Sequence, residues 1–277
     1  EVPGIGIDAS GNIYVLEGIR IKKFDGFGNF LTKWGSEGSG DGEFGWPQGF
    51  AVDASGIVYV ADTNNHRIQK FDSSGNLLAK WESGDPGDEE FLSPSDVVID
   101  ASGNIYVADS GNNRIQKFDS SGNHLATVGS LGFGDGEFWR PRGIAVDASG
   151  NIYVTDSNNH RIQKFDSAGN FLMKLGSQGS GDGKFLNPSG IALDTAGNIH
   201  VVDESNHRIQ KFDSAGKFLM KWGSRGTGEG EFIYPEHIAI DAAGNVYVTD
   251  SDNYRAQKFD NSGNFLTAWG SRGSGNG

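Results

Sequence analysis

The sequence predicts an all-β fold: a six-bladed β-propeller with four antiparallel strands in each blade. Three observations carry that reading. One block recurs six times, anchored on Asp8, Asp53, Asp100, Asp147, Asp194 and Asp241, with a first interval of 45 residues and four intervals of 47. Self-similarity at such a period marks a repeat architecture, in which each copy is one supersecondary unit. Every block holds four short runs separated by small-residue turns, and no segment sustains a helical period.

The elements follow in order in the fourth block. GIAVD (143–147) is a short apolar run, fit for a strand at the centre of a structure. Ala148-Ser149-Gly150-Asn151 is a turn, with Gly and Asn available for positive φ. IYVTD (152–156) is β-branched and aromatic with period-two alternation, which predicts a half-buried strand. After the loop 157–160, RIQKFD (161–166) is a third strand of mixed polarity, and a second turn (167–170) leads to FLMKLG (171–176). A glycine-rich link (177–183) then carries the chain to the next proline. Polarity predicts the GIAVD strand innermost and the FLMKLG strand at the outer edge.

Four such strands make a sheet with two apolar faces, unstable alone; six sheets arranged radially bury those faces against one another. A barrel or an open solenoid is the alternative arrangement. The repeats run nearly end to end, so residues 1–277 are expected to form a single domain.

Composition agrees. The 18 Phe, 6 Trp and 7 Tyr supply core bulk, and 43 Gly against 7 Pro suit many short strands and tight turns. No apolar run approaches the length of a membrane span, so no membrane insertion is expected. Glu1-Val2-Pro3 starts almost inside a repeat, which reads as a mature form or a piece of something longer. Cysteine is absent, removing disulfides and thiolate metal sites. A formal charge of −13 opposes generic binding to nucleic acid or anionic membrane. A monomer without cofactor is expected, and the Cys-free, Asn/Ser/Gly-rich surface favours an extracellular or periplasmic setting.

The block resembles the NHL repeat. The resemblance rests on the proline, GIAVD, G-N-I-Y-V and N-x-H-R-I-Q-x-F-D, in register several times and cleanest over 141–166. It covers essentially the whole chain and implies a six-bladed propeller. Each repeat supplies one entire blade, so the closing seam is expected to lack a strand shared between the termini.

Repetition then filters the candidate residues. His66, His160 and His207 invite a three-ligand metal reading, but all occupy the place before the third strand, where Asn113 and Tyr254 stand in other repeats. They are assigned to turn packing or hydrogen bonding, and no metal is expected. Arg20, Arg67, Arg114, Arg161, Arg208 and Arg255 flank the same loop as Glu17, Asp62, Asp109, Asp156, Asp203 and Asp250. That pairing predicts ion pairs or hydrogen bonds to backbone that hold the loop. Turns such as Asp53-Ala54-Ser55-Gly56 lack the spaced oxygens and terminal glutamate of a calcium loop. The links 38–42 and 179–183 lack the Lys-Ser/Thr and the helix of a phosphate loop.

Departures from the repeat point to function. Directly after the strand-leading proline stand Gln48, Ser95, Arg142, Ser189 and Glu236, with Pro3 at the matching place in the first repeat. At the next position, glycine in four repeats, stand Asp96 and His237. Asp96, Arg142, Glu236 and His237, with Gln48, are therefore expected around one mouth of the channel, a concave polar site of both charge signs. Trp46, Trp139 and Tyr234 lie at or beside the residue before the proline and are candidates for exposed anchors or for packing between blades.

The function expected is a non-catalytic binding scaffold that recognises a protein, peptide or small ligand through loops at the mouth. The family resemblance implies two classes of alternative, lyase activity and RNA binding. Amidating propeller lyases hold a channel zinc on histidines directly after the strand-leading proline, a place without histidine in this sequence. Propeller lyases that inactivate cyclic peptide antibiotics use a histidine and an acid, for which His237 and Glu236 are the candidates. RNA binding, as in TRIM-NHL proteins, needs clustered basic and aromatic residues; the rim offers Arg140 and Arg142 beside Asp96 and Glu236.

Overall fold

The computed structural model describes residues 4–82 and 90–270. It contains six four-stranded antiparallel sheets, spanning 4–34, 49–82, 94–128, 141–175, 188–222 and 235–269. Each sheet takes four consecutive strands, so every repeat builds one blade, as its sequence predicts. In blade five these are Pro188–Leu193, Ile199–Asp203, Arg208–Phe212 and Phe218–Trp222. The expectation that no strand is shared between the termini falls on residues 1–3 and 271–277, which lie outside the described residues. No helix among the described residues is long and apolar enough to cross a membrane.

The anchoring aspartates end their strands by closing the turn. In blade five, Asp194 Oδ1 accepts the N–H groups of Ala196 and Asn198, at 3.0 and 2.9 Å, and Oδ2 accepts Asn198 Nδ2 at 2.8 Å. One oxygen of the carboxylate is thus spent on its own turn, the side-chain mimic of a backbone turn that Asp and Asn favour. The second turn repeats the device, with Asp166 accepting from Ala168 and Asn170.

The chain divides into two compact units, one ending at Pro141 and the other beginning at Arg142. Within the first, Tyr14, Leu16, Phe44, Val58, Val60 and Phe71 pack blade one on blade two, and Tyr59, Ile68, Val97 and Val107 pack blade two on blade three. Within the second, Tyr153, Ile162, Phe185, Ile199 and Phe212 join blades four and five, and Val202, Ile209, Phe232 and Val248 join five and six. The second strands of blades two to six are buried at every residue, a correction to the half-buried strand that their alternation predicts. Alternation sends side chains to both faces of a sheet, and Tyr, Ala, Thr and His are apolar or satisfied enough to be covered on both.

The third strands carry a polar network. Arg208 Nε donates to Asp203 Oδ2 at 2.7 Å, and its terminal nitrogens donate to Ser180 O, Gly181 O and Lys184 O at 2.8, 2.7 and 3.0 Å. Gln210 Nε2 bridges Lys184 O (2.7 Å) and Asp203 Oδ2 (3.0 Å), while its Oε1 accepts Gly183 N–H at 2.9 Å. Asn206 Nδ2 ties Asp203 to Gly179 O, and Asp203 Oδ1 accepts Leu186 N–H at 2.8 Å. The same pattern recurs in blade two through Asp62, Asn65, Arg67 and Gln69 and in blade six through Asp250, Asn253, Arg255 and Gln257. In these three blades the glycine-rich link is therefore fastened by the arginine of the blade it leads into. Blade one departs: its shorter loop makes a Glu17–Arg20 hairpin end with Gly18 at φ 57°, and Glu17 pairs with Lys22, the residue at the glutamine position, at 2.5 Å.

Blade five carries a second variation. Where Tyr14, Tyr106, Tyr153 and Tyr247 donate a hydroxyl to their anchoring aspartates, blade five has His200, fully buried, with Nε2 3.3 Å from Asp194 Oδ2 and its ring edge-on to Trp222. Burial, reinforced by the charge of Lys211, lowers the imidazole pKa to about 4.

Two outcomes follow. Replacing Arg208 by Met leaves Asp203 buried without its cation, and breaking a buried pair in this way costs about 3–5 kcal/mol. Urea unfolding checks it, with exposed Arg20→Met, expected within about 0.5 kcal/mol of the parent, as the control. For His200, the folded pKa of about 4 lies below the unfolded value of about 6.5, so its contribution is complete above pH 6.5 and is lost as pH falls through 4. His200→Tyr, the residue of the other blades, is expected to flatten the decline of unfolding free energy between pH 7 and pH 4.

Candidate functional site

The residues that lead into the innermost strand adopt an uncommon backbone. Trp46, Ser93, Arg140, Asn187 and Tyr234, each preceding a proline, have φ of 56, 48, 53, 50 and 49°. A residue before proline is sterically biased to extended conformations, and a non-glycine residue at positive φ is strained, so five repetitions mark a conformation imposed by the surroundings. Part of that imposition is a hydrogen bond from the preceding blade. His66 Nδ1 accepts Ser93 N–H at 3.0 Å, His160 accepts Asn187 N–H and His207 accepts Tyr234 N–H, both at 3.1 Å. Asn113 Oδ1 does the same for Arg140 N–H at 2.8 Å. The histidines thus have the hydrogen-bonding role expected of them, with the proton of each neutral ring on Nε2. Among the described residues, no group of three or more His, Asp or Glu side chains could hold a metal ion.

Three departures from the repeat meet within the unit that begins at Arg142. The Arg142 guanidinium pairs through Nη1 with Glu204 Oε2, and its Nη2 lies 3.9 Å from Glu236 Oε1. Ser251 Oγ donates to Glu236 Oε2 at 2.8 Å. His237, half-buried, follows Glu236, and its N–H donates to Thr249 Oγ1 at 2.9 Å. Gly190 permits the approach: a Cβ there would lie 2.7 Å from Glu236 O and 3.0 Å from His237 Cα, both backbone atoms unable to yield. One guanidinium faces two carboxylates, leaving an excess of negative charge. Burial and the nearby Glu236 raise the Glu204 pKa above the usual carboxylate range, against the lowering pull of Arg142 and the Ser189 hydroxyl.

Arg142 and Glu236 are thus brought together as the sequence suggests, and Glu204 is the partner that reading the proline-proximal positions misses. Its signal lay elsewhere in the repeat. Thr63, Ser110, Ser157 and Ser251 hold the place that opens the short 3-10 turn after the second strand, and Glu204 replaces them. The hydroxyls of Thr63 and Ser157 donate to the carbonyls of Pro94 and Pro188. Glutamate cannot donate when ionised and reaches Arg142 instead.

The other candidates lie in the unit ending at Pro141. Asp96 is buried, its Oδ1 accepting Val97 N–H at 2.9 Å. Its backbone crowds Gly49, whose added Cβ would fall 2.6 Å from Asp96 Cα. Gln48 is half-buried, with its N–H donated to Ala61 O. Trp46 and Trp139 are exposed, at 55% and 42%, and the Trp139 ring meets Phe133 edge to face with centroids 5.6 Å apart.

Comparison with known proteins places this geometry. The NHL repeat model matches residues 44–71, 91–118 and 138–165, and a model described as a 6-bladed beta-propeller matches 195–268. No curated protein sequence matches significantly. Among solved structures, a streptogramin B lyase covers 99% of this chain and 84% of its own at 13% identity and a TM-score of 0.71. A chain of a nidogen/laminin complex covers 94% and 93% at 18% identity, also with a TM-score of 0.71. Virginiamycin B lyase from Staphylococcus aureus covers 99% and 85% at 13% identity and 0.67. Identities this low carry the fold and no chemistry.

The charge balance of the cluster can be read directly. Arg142→Ser is expected to move the Glu204 titration midpoint further up and Glu236→Ser to move it down, because the guanidinium lowers and the carboxylate raises it. Carbon-13 NMR titration of the Glu204 carboxyl measures both; movement of the two in the same direction would contradict the assignment.

Proposed function

Since the chain is a six-bladed β-propeller built from NHL repeats, we propose that it is a non-catalytic binding scaffold whose charged cluster recognises a ligand carrying a cationic group. The observation that supports this is the meeting of Arg142, Glu204 and Glu236, three positions where the repeat is broken, on a framework whose recurring polar side chains serve its own turns and links. Excess carboxylate, partly screened from water, favours an ammonium or guanidinium over an anion. Arg142 orients the two carboxylates, and Ser251 fixes one oxygen of Glu236, so the site is held in place before a ligand arrives. A catalytic carboxylate and histidine would need freedom to take and return a proton. Glu236 instead is shared between Ser251 and Arg142, which favours recognition over turnover.

The test uses the full chain and a variant carrying Arg142→Ser, Glu204→Ser and Glu236→Ser, residues that other blades place at the same positions. Trilysine and triglutamate peptides are titrated by calorimetry at low salt. Trilysine is expected to bind the parent at least tenfold more tightly than the variant, and triglutamate to bind neither. Equal binding of trilysine to parent and variant would remove the cluster from the reading.

A further inference from the structure

We propose that Leu131, Phe133, Trp139 and Arg140 form a docking surface for a peptide segment that carries a bulky apolar side chain beside a carboxylate. The proposal does not depend on what Arg142, Glu204 and Glu236 bind.

Its basis is a second break in the repeat, confined to one link. Leu131 stands where the other described links have Glu37, Gln178 and Arg225, and Phe133 where they have Ser39, Ser180 and Thr227. Polar residues at an exposed place have been exchanged for apolar ones that stay exposed, Leu131 at 66% and Phe133 at 72%. Burial in the fold therefore does not account for them. Exposed apolar side chains scattered singly are ordinary, whereas a contiguous group rimmed by polar residues marks an interaction site.

Phe133 and Trp139 are in contact, and the link that carries them with Leu131 is preformed. Phe133 and Trp139 meet at an interplanar angle of 77°, which leaves a corner walled by ring surface. Such a corner fits one aliphatic or aromatic side chain. The link that presents them is closed on itself: Gly132 N–H donates to Phe138 O at 3.0 Å, Phe138 N–H to Ser130 O at 2.8 Å, and Gly134 N–H to Glu137 Oε2 at 2.8 Å. Phe138 is buried completely and pins the base. A preordered surface loses little side-chain freedom on binding.

Arg140 supplies the second half of the recognition. Its backbone is held at φ 53° by the hydrogen bond to Asn113, and its side chain is exposed. Arg67, Arg114, Arg161, Arg208 and Arg255 are each paired with an aspartate and Arg142 with glutamates, but Arg140 makes no ion pair among the described residues. A guanidinium beside an apolar corner is built to take a carboxylate through two parallel hydrogen bonds. Trp and Arg are also the residues that most often dominate binding energy at interfaces. A second copy of the chain fits less well, since two bodies of charge −13 repel, and the same repulsion opposes RNA.

The experiment measures fluorescence anisotropy of labelled hexapeptides Gly-Ser-X-Z-Ser-Gly, with X phenylalanine, leucine or alanine and Z glutamate or lysine. They are titrated with the full chain and with a variant combining Leu131→Gln, Phe133→Ser, Trp139→Leu and Arg140→Asn. These substitutions install the residues of the link that leads into blade five, namely Gln178, Ser180, Leu186 and Asn187. The phenylalanine–glutamate peptide is expected to bind the parent at least tenfold more tightly than the variant at equal Tm. Arg140→Asn alone is expected to abolish the preference for glutamate over lysine and to keep the preference for phenylalanine over alanine. Phe133→Ser alone repeats the first comparison with a single change, should the fourfold variant not fold. Equal binding by parent and variant, or no dependence on X, overturns the proposal. So does sedimentation showing a dimer that the variant loses, which would assign the surface to a second copy.

Discussion

The fold depends on a fully buried carboxylate in each of blades two to six, the aspartate that ends the second strand: Asp62, Asp109, Asp156, Asp203 and Asp250, each with no exposed surface. A carboxylate in that position is tolerated only if it is paired and fully hydrogen-bonded. Arginine, glutamine and asparagine meet that demand, and each has donors left over. Those donors go to carbonyls of the glycine-rich link, whose own short pairing leaves them unsatisfied. Satisfying one buried acid thereby orders a loop that composition alone would leave loose. The ordered link then sets the buried phenylalanine and the residue before the proline, and so the angle at which the next strand enters.

This hierarchy explains where change is permitted. The third-strand arginine, the anchoring aspartate and the turn asparagine each satisfy several groups, so replacing one strands the others. The residue after the proline and the first residue of the 3-10 turn have lighter duties. Arg142 and Glu204 occupy those places, and their side chains were free to acquire a partner in each other. The same reasoning applies to Leu131 and Phe133, which lie on the outer side of a link whose inner side is fully committed.

Much of this was legible in the sequence. The anchoring aspartates mark six blades because a turn that needs a carboxylate to close it cannot drift, and the recurring acid and arginine announce their pairing. The histidines could be set aside as scaffold because all occupy one place of the repeat, where Asn113 and Tyr254 stand in other blades. Burial was harder to read: period-two alternation in IYVTD signals two faces, not which of them is covered, and in a blade both are. The site was half legible. Arg142 and Glu236 stand out beside the proline, but Glu204 lies 62 residues from Arg142 in a turn where a hydroxyl is the rule. Bringing the two together takes the register of neighbouring strands, down to the missing side chain of Gly190. Asp96 breaks the repeat just as visibly as His237, yet it is buried against its own strand.

The fastening of each link by the blade that follows has a bearing on how such a chain can be cut and rejoined. The sequence repeat invites a cut in the glycine-rich link, which looks like a spacer between modules. That link is the most densely bonded loop of its blade, and opening it at 180–184 would sever the carbonyls that Arg208 and Gln210 hold. The turn between the third and fourth strands, such as 213–216, is closed by its own aspartate and holds none of the link carbonyls. Circular permutants and domain insertions opened there would leave every arginine with its loop. The modules of stability are out of phase with the modules of sequence by about one strand connection, and a designer who joins blades at the obvious boundary divides the wrong unit.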